Sequence, residues 1–170
     1  GDTKFNEDGV QFIVNPYDEW YALVRALELK EANGGKVTII SVGTADYEPI
    51  MRKALAIGAD NAIRINANPV DGLQVAKELA EIVKEGEYDL ILAGKESADY
   101  NGQMVPGMLA ALTDFNFVNG CVGLEIDGTN VTAVREIDGG NETLSTTLPL
   151  VVGGQKGIVE EKDLRIPNMR

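Results

Sequence analysis

A chain of 170 residues with 44% hydrophobic content can bury one ordinary core, so a single domain is expected rather than two full ones. Asp and Glu number 27 against 15 Lys and Arg, a net charge of -12, and such a surface repels phosphate backbones and anionic lipid heads, which argues against nucleic-acid and membrane-surface partners. Histidine is absent, which removes hydrolase triads and His-based zinc sites, and the one cysteine, Cys121, has no partner for an internal disulfide.

In chain order, residues 10–14 read as a short strand behind an Asp8-Gly9 turn, and Asn15 then offers an N-cap with Pro16 at the first helical position. Trp20, Leu23, Val24 and Leu27 recur at helical spacing and are expected to face a core, and Gly34-Gly35 stops that helix. The apolar run 37–42 is continuous, which suits a parallel strand covered on both faces. A helix over 45–57 ended by Gly58, a strand over 62–65, a helix over 70–84 ended by Gly86 and a strand over 89–93 repeat the alternation. Units of this length predict right-handed crossovers and a doubly wound, mostly parallel sheet.

A last helix is expected over 102–112, with Pro106 restricting where its first turn begins. Residues 122–126 and 131–137 then alternate with period two around Asp127-Gly128-Thr129-Asn130, which signals an antiparallel hairpin appended to the parallel sheet. Cys121, beside Val122 and Leu124, reads as a buried core thiol in a reducing, intracellular setting. From Gly153 to Arg170 the chain is poor in large apolar residues and rich in charge, and it reads as a loop or arm. The expected organisation is therefore an α/β domain over 1–152, with the hairpin at 121–147, followed by an arm over 153–170. No apolar run approaches the ~20 residues of a membrane-spanning helix.

In open parallel sheets the ligand crevice lies beyond the carboxyl ends of the strands, where loops lead into helix N-termini. Three segments should converge there. They are Asn15, Pro16, Tyr17 and Asp18 at a helix start; Val42, Gly43 and Thr44 after one strand; and Gly94, Lys95, Glu96, Ser97, Ala98 and Asp99 after another. Gly43 and Gly94 would let a ligand approach the backbone, and free amides around Asn101, Gly102 and Gln103 could receive a phosphate, with Lys95 the cation placed to help. The plainer readings are turn geometry for the glycines and a solvated surface pair for Lys95 with Glu96. No Walker A pattern, dinucleotide-binding glycine triplet or paired-cysteine metal motif occurs, and no residue is assigned a catalytic or metal-binding role.

The stretch Arg135-Glu136-Ile137-Asp138-Gly139-Gly140-Asn141-Glu142-Thr143-Leu144, followed by Leu148-Pro149-Leu150-Val151-Val152, resembles the electron transfer flavoprotein beta subunit family. Asn15-Pro16-Tyr17-Asp18-Glu19 and Lys53-Ala54-Leu55-Ala56-Ile57-Gly58-Ala59-Asp60 lie in the same order at compatible spacing, with Gly94-Lys95 after them. The resemblance implies an α/β fold of the adenine-nucleotide-binding (HUP-like) type and a heterodimer with an alpha subunit that carries the redox FAD. It implies no catalysis by this chain itself. In its place the subunit scaffolds the alpha subunit and docks to acyl-CoA or related flavin dehydrogenases, in the bacterial cytoplasm or the mitochondrial matrix.

The resemblance also implies a structural AMP, or in some members a second FAD, held by Asn15, Pro16, Tyr17, Asp18, Val42, Gly43, Gly94, Lys95, Glu96, Ser97, Ala98, Asp99, Asn101, Gly102 and Gln103. Family members commonly have a longer acidic loop before the Gly-Gln pair than the six residues 96–101 found here. A shorter loop offers fewer amides to a phosphate, so AMP, FAD and an empty site all stay open. Leu164, Arg165, Ile166 and Pro167 resemble the family's recognition loop, in which one exposed aliphatic side chain, here Ile166, enters a pocket on the dehydrogenase. The plain alternative is that Ile166 packs on its own subunit. The family begins with a central parallel strand ahead of the polar segment that opens this chain, so the expectation is a fragment lacking that strand and the family's C-terminal arm. The alternative function is a stand-alone adenine-nucleotide-binding regulator resembling the universal stress proteins, which share the alternation but not the Asp138-Gly139-Gly140 hairpin.

Overall fold

The computed structural model describes residues 18–95 and 104–167. Helix α1 (Glu19–Asn33) begins its bonding with the Ala22 amide donating to Asp18 O. The strand expected at 10–14 and the cap assigned to Asn15 and Pro16 lie outside the described residues. Val24 and Leu27 are buried as their spacing predicts, whereas Trp20 and Leu23 are half-buried, and Tyr21, Ala22 and Leu29 join the buried set. The helix stops at Gly34, whose φ of 78° a residue with a side chain rarely adopts.

Strand β1 (Thr38–Val42) follows, and β2 (Asn61–Ile65) pairs with it in parallel, Thr38 opposite Asn61 and Val42 opposite Ile65. The helix expected over 45–57 is divided into a 3-10 turn, Ala45–Tyr47, and α2 (Glu48–Ala56). Pro49 is the reason, because a residue without an amide hydrogen belongs in a first turn and resets the helix start there. Helix α3 (Gly72–Glu85) starts two residues later than expected. Asp71 caps it by accepting from the Gln74 amide at 2.8 Å, and the Gln74 side chain accepts in return from the Val70 amide at 3.0 Å. Strand β3 (Leu90–Gly94) precedes α4 (Val105–Thr113), which begins just before Pro106 rather than at 102, for the reason that holds at Pro49.

The antiparallel part is larger than one hairpin. Strands β4 (Asn116–Asp127), β5 (Asn130–Ile137) and β6 (Gly140–Thr147) form a meander whose turns need Gly128 at φ 60° and Gly139 at φ 86°. Strand β7 (Leu150–Gly154) then runs between β3 and β4 and parallel to both, giving the order β3-β7-β4-β5-β6. Register shifts near Cys121 let β4 be parallel to β7 at its start and antiparallel to β5 at its end. The expected arm therefore starts later than residue 153, since Gly153 and Gly154 are buried strand residues.

Side chains alternate across β7, and this alternation builds the two sides of the core. Leu150 and Val152 join Tyr21, Val24 and Leu29 of α1, together with Leu124, Val131 and Ile158. Val151 points the other way, into Ala80 and Val83 of α3 and Leu109 and Ala110 of α4. Helices thus cover both faces of the parallel strands, as the doubly wound reading predicts. The sheet is nevertheless divided. Among the described residues β1 pairs only with β2, and β3 pairs only with β7, so β1-β2 stands apart from the five-stranded sheet.

Between the two sheets lies a cavity of 1370 Å³, bordered along its length by β1 and β3. Ala22, Leu23 and Ala26 of α1, Leu79 and Val83 of α3, and Leu109 of α4 line it as well. This explains why β1 and β3, both apolar runs, stay half-buried at every position.

Cys121 is 0% exposed, and its Sγ donates to Gly123 O at 3.0 Å. Burial pushes the thiol above its ordinary range. Native chain should therefore leave Cys121 unlabelled by a maleimide at neutral pH, while urea-unfolded chain is labelled to completion. Rapid labelling of the native chain would mean that the β4–β5 interior opens readily.

Candidate functional site

The carboxyl end of the cavity is where the parallel strands hand over to helices. Val42 and Gly43 at the end of β1 and Gly94 at the end of β3 all line it, so the structure brings these three expected residues together. Thr44 joins them, as do the starts of α1 and α3 at Glu19 and Asp71. Lys95 is not among the lining residues, and its amide extends the ladder of β3 and β7 by donating to Gly154 O at 2.8 Å. Asn15, Pro16, Tyr17, Glu96, Ser97, Ala98, Asp99, Asn101, Gly102 and Gln103 lie outside the described residues.

The two glycines have local reasons to be glycine. A Cβ on Gly94 would stand 3.0 Å from the Glu19 backbone nitrogen and 3.2 Å from Asp18 Cβ, so its missing side chain makes room for the start of α1. A Cβ on Gly43 would stand 2.6 Å from the Tyr47 ring. In both places the space beside the glycine is taken by the protein's own residues, and neither glycine has a positive φ that would call for turn geometry.

Sequence reasoning missed a third wall of the site. Val70, Leu73 and Met104 line the cavity and are 79%, 45% and 68% exposed, an apolar group at the starts of α3 and α4. The signal was present, because Asn68-Pro69-Val70-Asp71 follows a parallel strand and must emerge at the same edge as the loops after β1 and β3. Arg64 was also missed. Its guanidinium donates to Gly43 O at 3.0 Å and to Asn66 Oδ1 at 2.9 Å and lies 3.4 Å from Glu48, which fixes the turn after β1 and consumes that cation.

These residues fit part of a nucleotide. The apolar lining suits a flat base, which stacks and needs few polar partners. The phosphate is another matter, because the cations among the described lining residues are Lys30 and Lys36, at the amino end of β1, while Glu19 and Asp71 flank the carboxyl end. Holding a phosphate would fall to residues 95–103, of which 96–103 lie outside the described residues.

A second functional feature lies on the segment after β7. Ile158 and Val159 are buried in the α1-facing core, and Leu164 packs against it beyond a short 3-10 turn at Glu161–Asp163. Arg165 donates from Nη1 and Nη2 to the two carboxylate oxygens of Glu31 at 2.8 and 2.7 Å, and its carbonyl accepts from Trp20 Nε1 at 3.0 Å. The facing guanidinium holds the Glu31 carboxyl below its usual range. Ile166, by contrast, is 87% exposed. Among the described residues, nothing covers its side chain.

No helix among the described residues is long and apolar enough to cross a membrane. The chain is similar over most of its length to proteins named electron transfer flavoprotein subunit beta. The one from Bacillus subtilis is 38% identical over 170 residues, 98% of this chain and 66% of the relative. That from Syntrophomonas wolfei is 34% identical over 171 residues, 99% and 66%. The one from Homo sapiens is 34% identical over 168 residues, 95% and 66%. This chain therefore spans 66% of the length of each of these three relatives. The family model described as the electron transfer flavoprotein domain matches residues 2–168, and by that match the chain belongs to the electron transfer flavoprotein domain family.

Proposed function

We propose that this chain is the main body of an electron transfer flavoprotein beta subunit, which catalyses nothing by itself. It scaffolds an alpha subunit that carries the redox FAD, and it docks to acyl-CoA or related flavin dehydrogenases whose electrons that FAD accepts. The observation that carries the reading is the family match over 2–168, supported by beta-subunit relatives at 34–38% identity. The crevice beyond Val42, Gly43 and Gly94 holds a nucleotide in a structural role, AMP by preference and FAD as the other candidate. A stand-alone regulator resembling the universal stress proteins gains no observation of its own.

The test is co-expression of the tagged chain with an alpha subunit. Expected is a stoichiometric complex with flavin absorbance, from which the separated chain emerges colourless and releases AMP on acid extraction. Flavin retained by the separated chain would replace AMP with FAD in this subunit. Failure of any larger chain to copurify would overturn the subunit reading.

Docking gives a second expectation. An exposed aliphatic anchor can dominate an interface, and truncating one costs on the order of 2 kcal/mol, roughly thirtyfold in affinity. Ile166→Ala in the reconstituted complex should weaken the dehydrogenase by that factor while thermal stability and flavin content stay unchanged, since Ile166 is 87% exposed. Wild-type affinity in this variant would place the docking surface elsewhere.

A further inference from the structure

Arg165 ties the segment after β7 to two separate points on α1. Trp20 and Glu31 are eleven residues apart on α1, which is three helical turns, so they lie on one stripe of its surface roughly 16 Å apart along the axis. Arg165 spans the two, with its carbonyl bound to the Trp20 indole and its guanidinium paired at both nitrogens with the Glu31 carboxylate. A bidentate pair restrains orientation as well as distance. The residue before it, Leu164, is half-buried against the core, and the residue after Ile166 is a proline, whose φ is restricted by its ring. An 87% exposed isoleucine on a free loop would sample many positions. Here the residue before it is tied to α1 at two points, and the proline after it has a φ fixed by its ring.

We propose that Trp20 and Glu31 of α1 are positioning residues for partner docking, which act through Arg165 to hold Ile166 outward in its binding position. The proposal rests on the docking role given to Ile166 above. Its physical content is preorganisation: a loop already held in the bound position loses less freedom on binding, so the clasp contributes affinity without touching the partner. Neither Trp20 nor Glu31 need enter the interface, and the charges around the segment need not pair with partner charges.

Two measurements separate the clasp from docking. Trp20 is the one tryptophan in the chain, so its quenching by acrylamide reports on the clasp without any partner. Glu31→Ala should increase that quenching, and unchanged quenching would overturn the clasp whatever Ile166 does. In the reconstituted complex, Glu31→Ala should raise KM for the reduced dehydrogenase roughly fivefold with kcat unchanged, the scale expected for ordering one loop segment. In an Ile166→Ala background, the same Glu31→Ala change should do nothing further. An equal increase in both backgrounds would show that Glu31 contacts the partner directly, and would overturn the proposal. If Ile166→Ala alone has no effect, the docking reading falls and the proposal falls with it. If Ile166→Ala acts and Glu31→Ala does not, docking stands and the clasp is refuted. Trp20→Phe keeps an aromatic ring at the site and loses the indole donor, so a KM increase in that variant at unchanged thermal stability confirms that positioning, not folding, was altered.

Discussion

Leu150→Ala should destabilise the chain by about 3 kcal/mol or more, within the range for truncating a fully buried leucine. Leu150 is 0% exposed and is the first residue of β7, which is flanked on both edges by β3 and β4. Its side chain meets α1 through the cluster that contains Val24, Leu124 and Ile158. Neither neighbouring strand can close inward, because each is in register with β7 over several residues. For a chain of this length the loss corresponds to a fall of roughly 6–12 °C in Tm. Urea titration measures it directly, and a matched change at exposed Val70 should stay within about 0.5 kcal/mol of wild type. A loss below about 1 kcal/mol at Leu150 would mean that β7 is not the centre of the core.

Gly94→Val should cost a similar amount, about 3 kcal/mol, at the upper end of what overpacking does. The first carbon of any side chain there would stand 2.8 Å from Glu19 Cγ and 3.0 Å from the Glu19 backbone nitrogen. A flexible side chain can swing aside, but a backbone nitrogen in the first turn of a helix cannot. The strand cannot give either, because Gly94 pairs with Gly154 and the next amide, Lys95, donates to Gly154 O at 2.8 Å. The start of α1 must therefore shift, and thermal melting with far-UV circular dichroism should register it. A variant of unchanged stability that loses only nucleotide affinity would reverse this assignment, making Gly94 a ligand contact and the α1 contact soft.

Much of the fold was legible because its signals are local. Gly34 and Gly58 end helices with positive φ, Asp127-Gly128 and Asp138-Gly139 turn the meander, and the continuous apolar run of β1 marks a parallel strand. Boundaries were less legible where a proline or a side-chain cap competes with periodicity, as at Pro49, Pro106 and Asp71. Of the candidate site, Val42, Gly43 and Gly94 were found because the end of a parallel strand is readable from the alternation of elements. Val70, Leu73 and Met104 were not, because an exposed apolar residue at a helix start looks like any other member of a helical pattern.

By itself, then, the sequence determined the α/β class, the parallel alternation, the antiparallel addition and the family resemblance that the family match bears out. All of these depend on residue types within a few positions of one another, where backbone geometry and hydrophobic period act directly. The tertiary structure decided what depends on distant segments meeting. It placed the last strand, β7, between β3 and β4, left β1 and β3 facing each other across a cavity, and set Glu19 against Gly94. It also brought Arg165 onto Trp20 and Glu31, so that Ile166 faces outward. Glu31 and Arg165 are 134 residues apart in the chain, and no local propensity relates residues at that separation; their pairing follows from Ile158, Val159 and Leu164 burying themselves against the core that α1 covers.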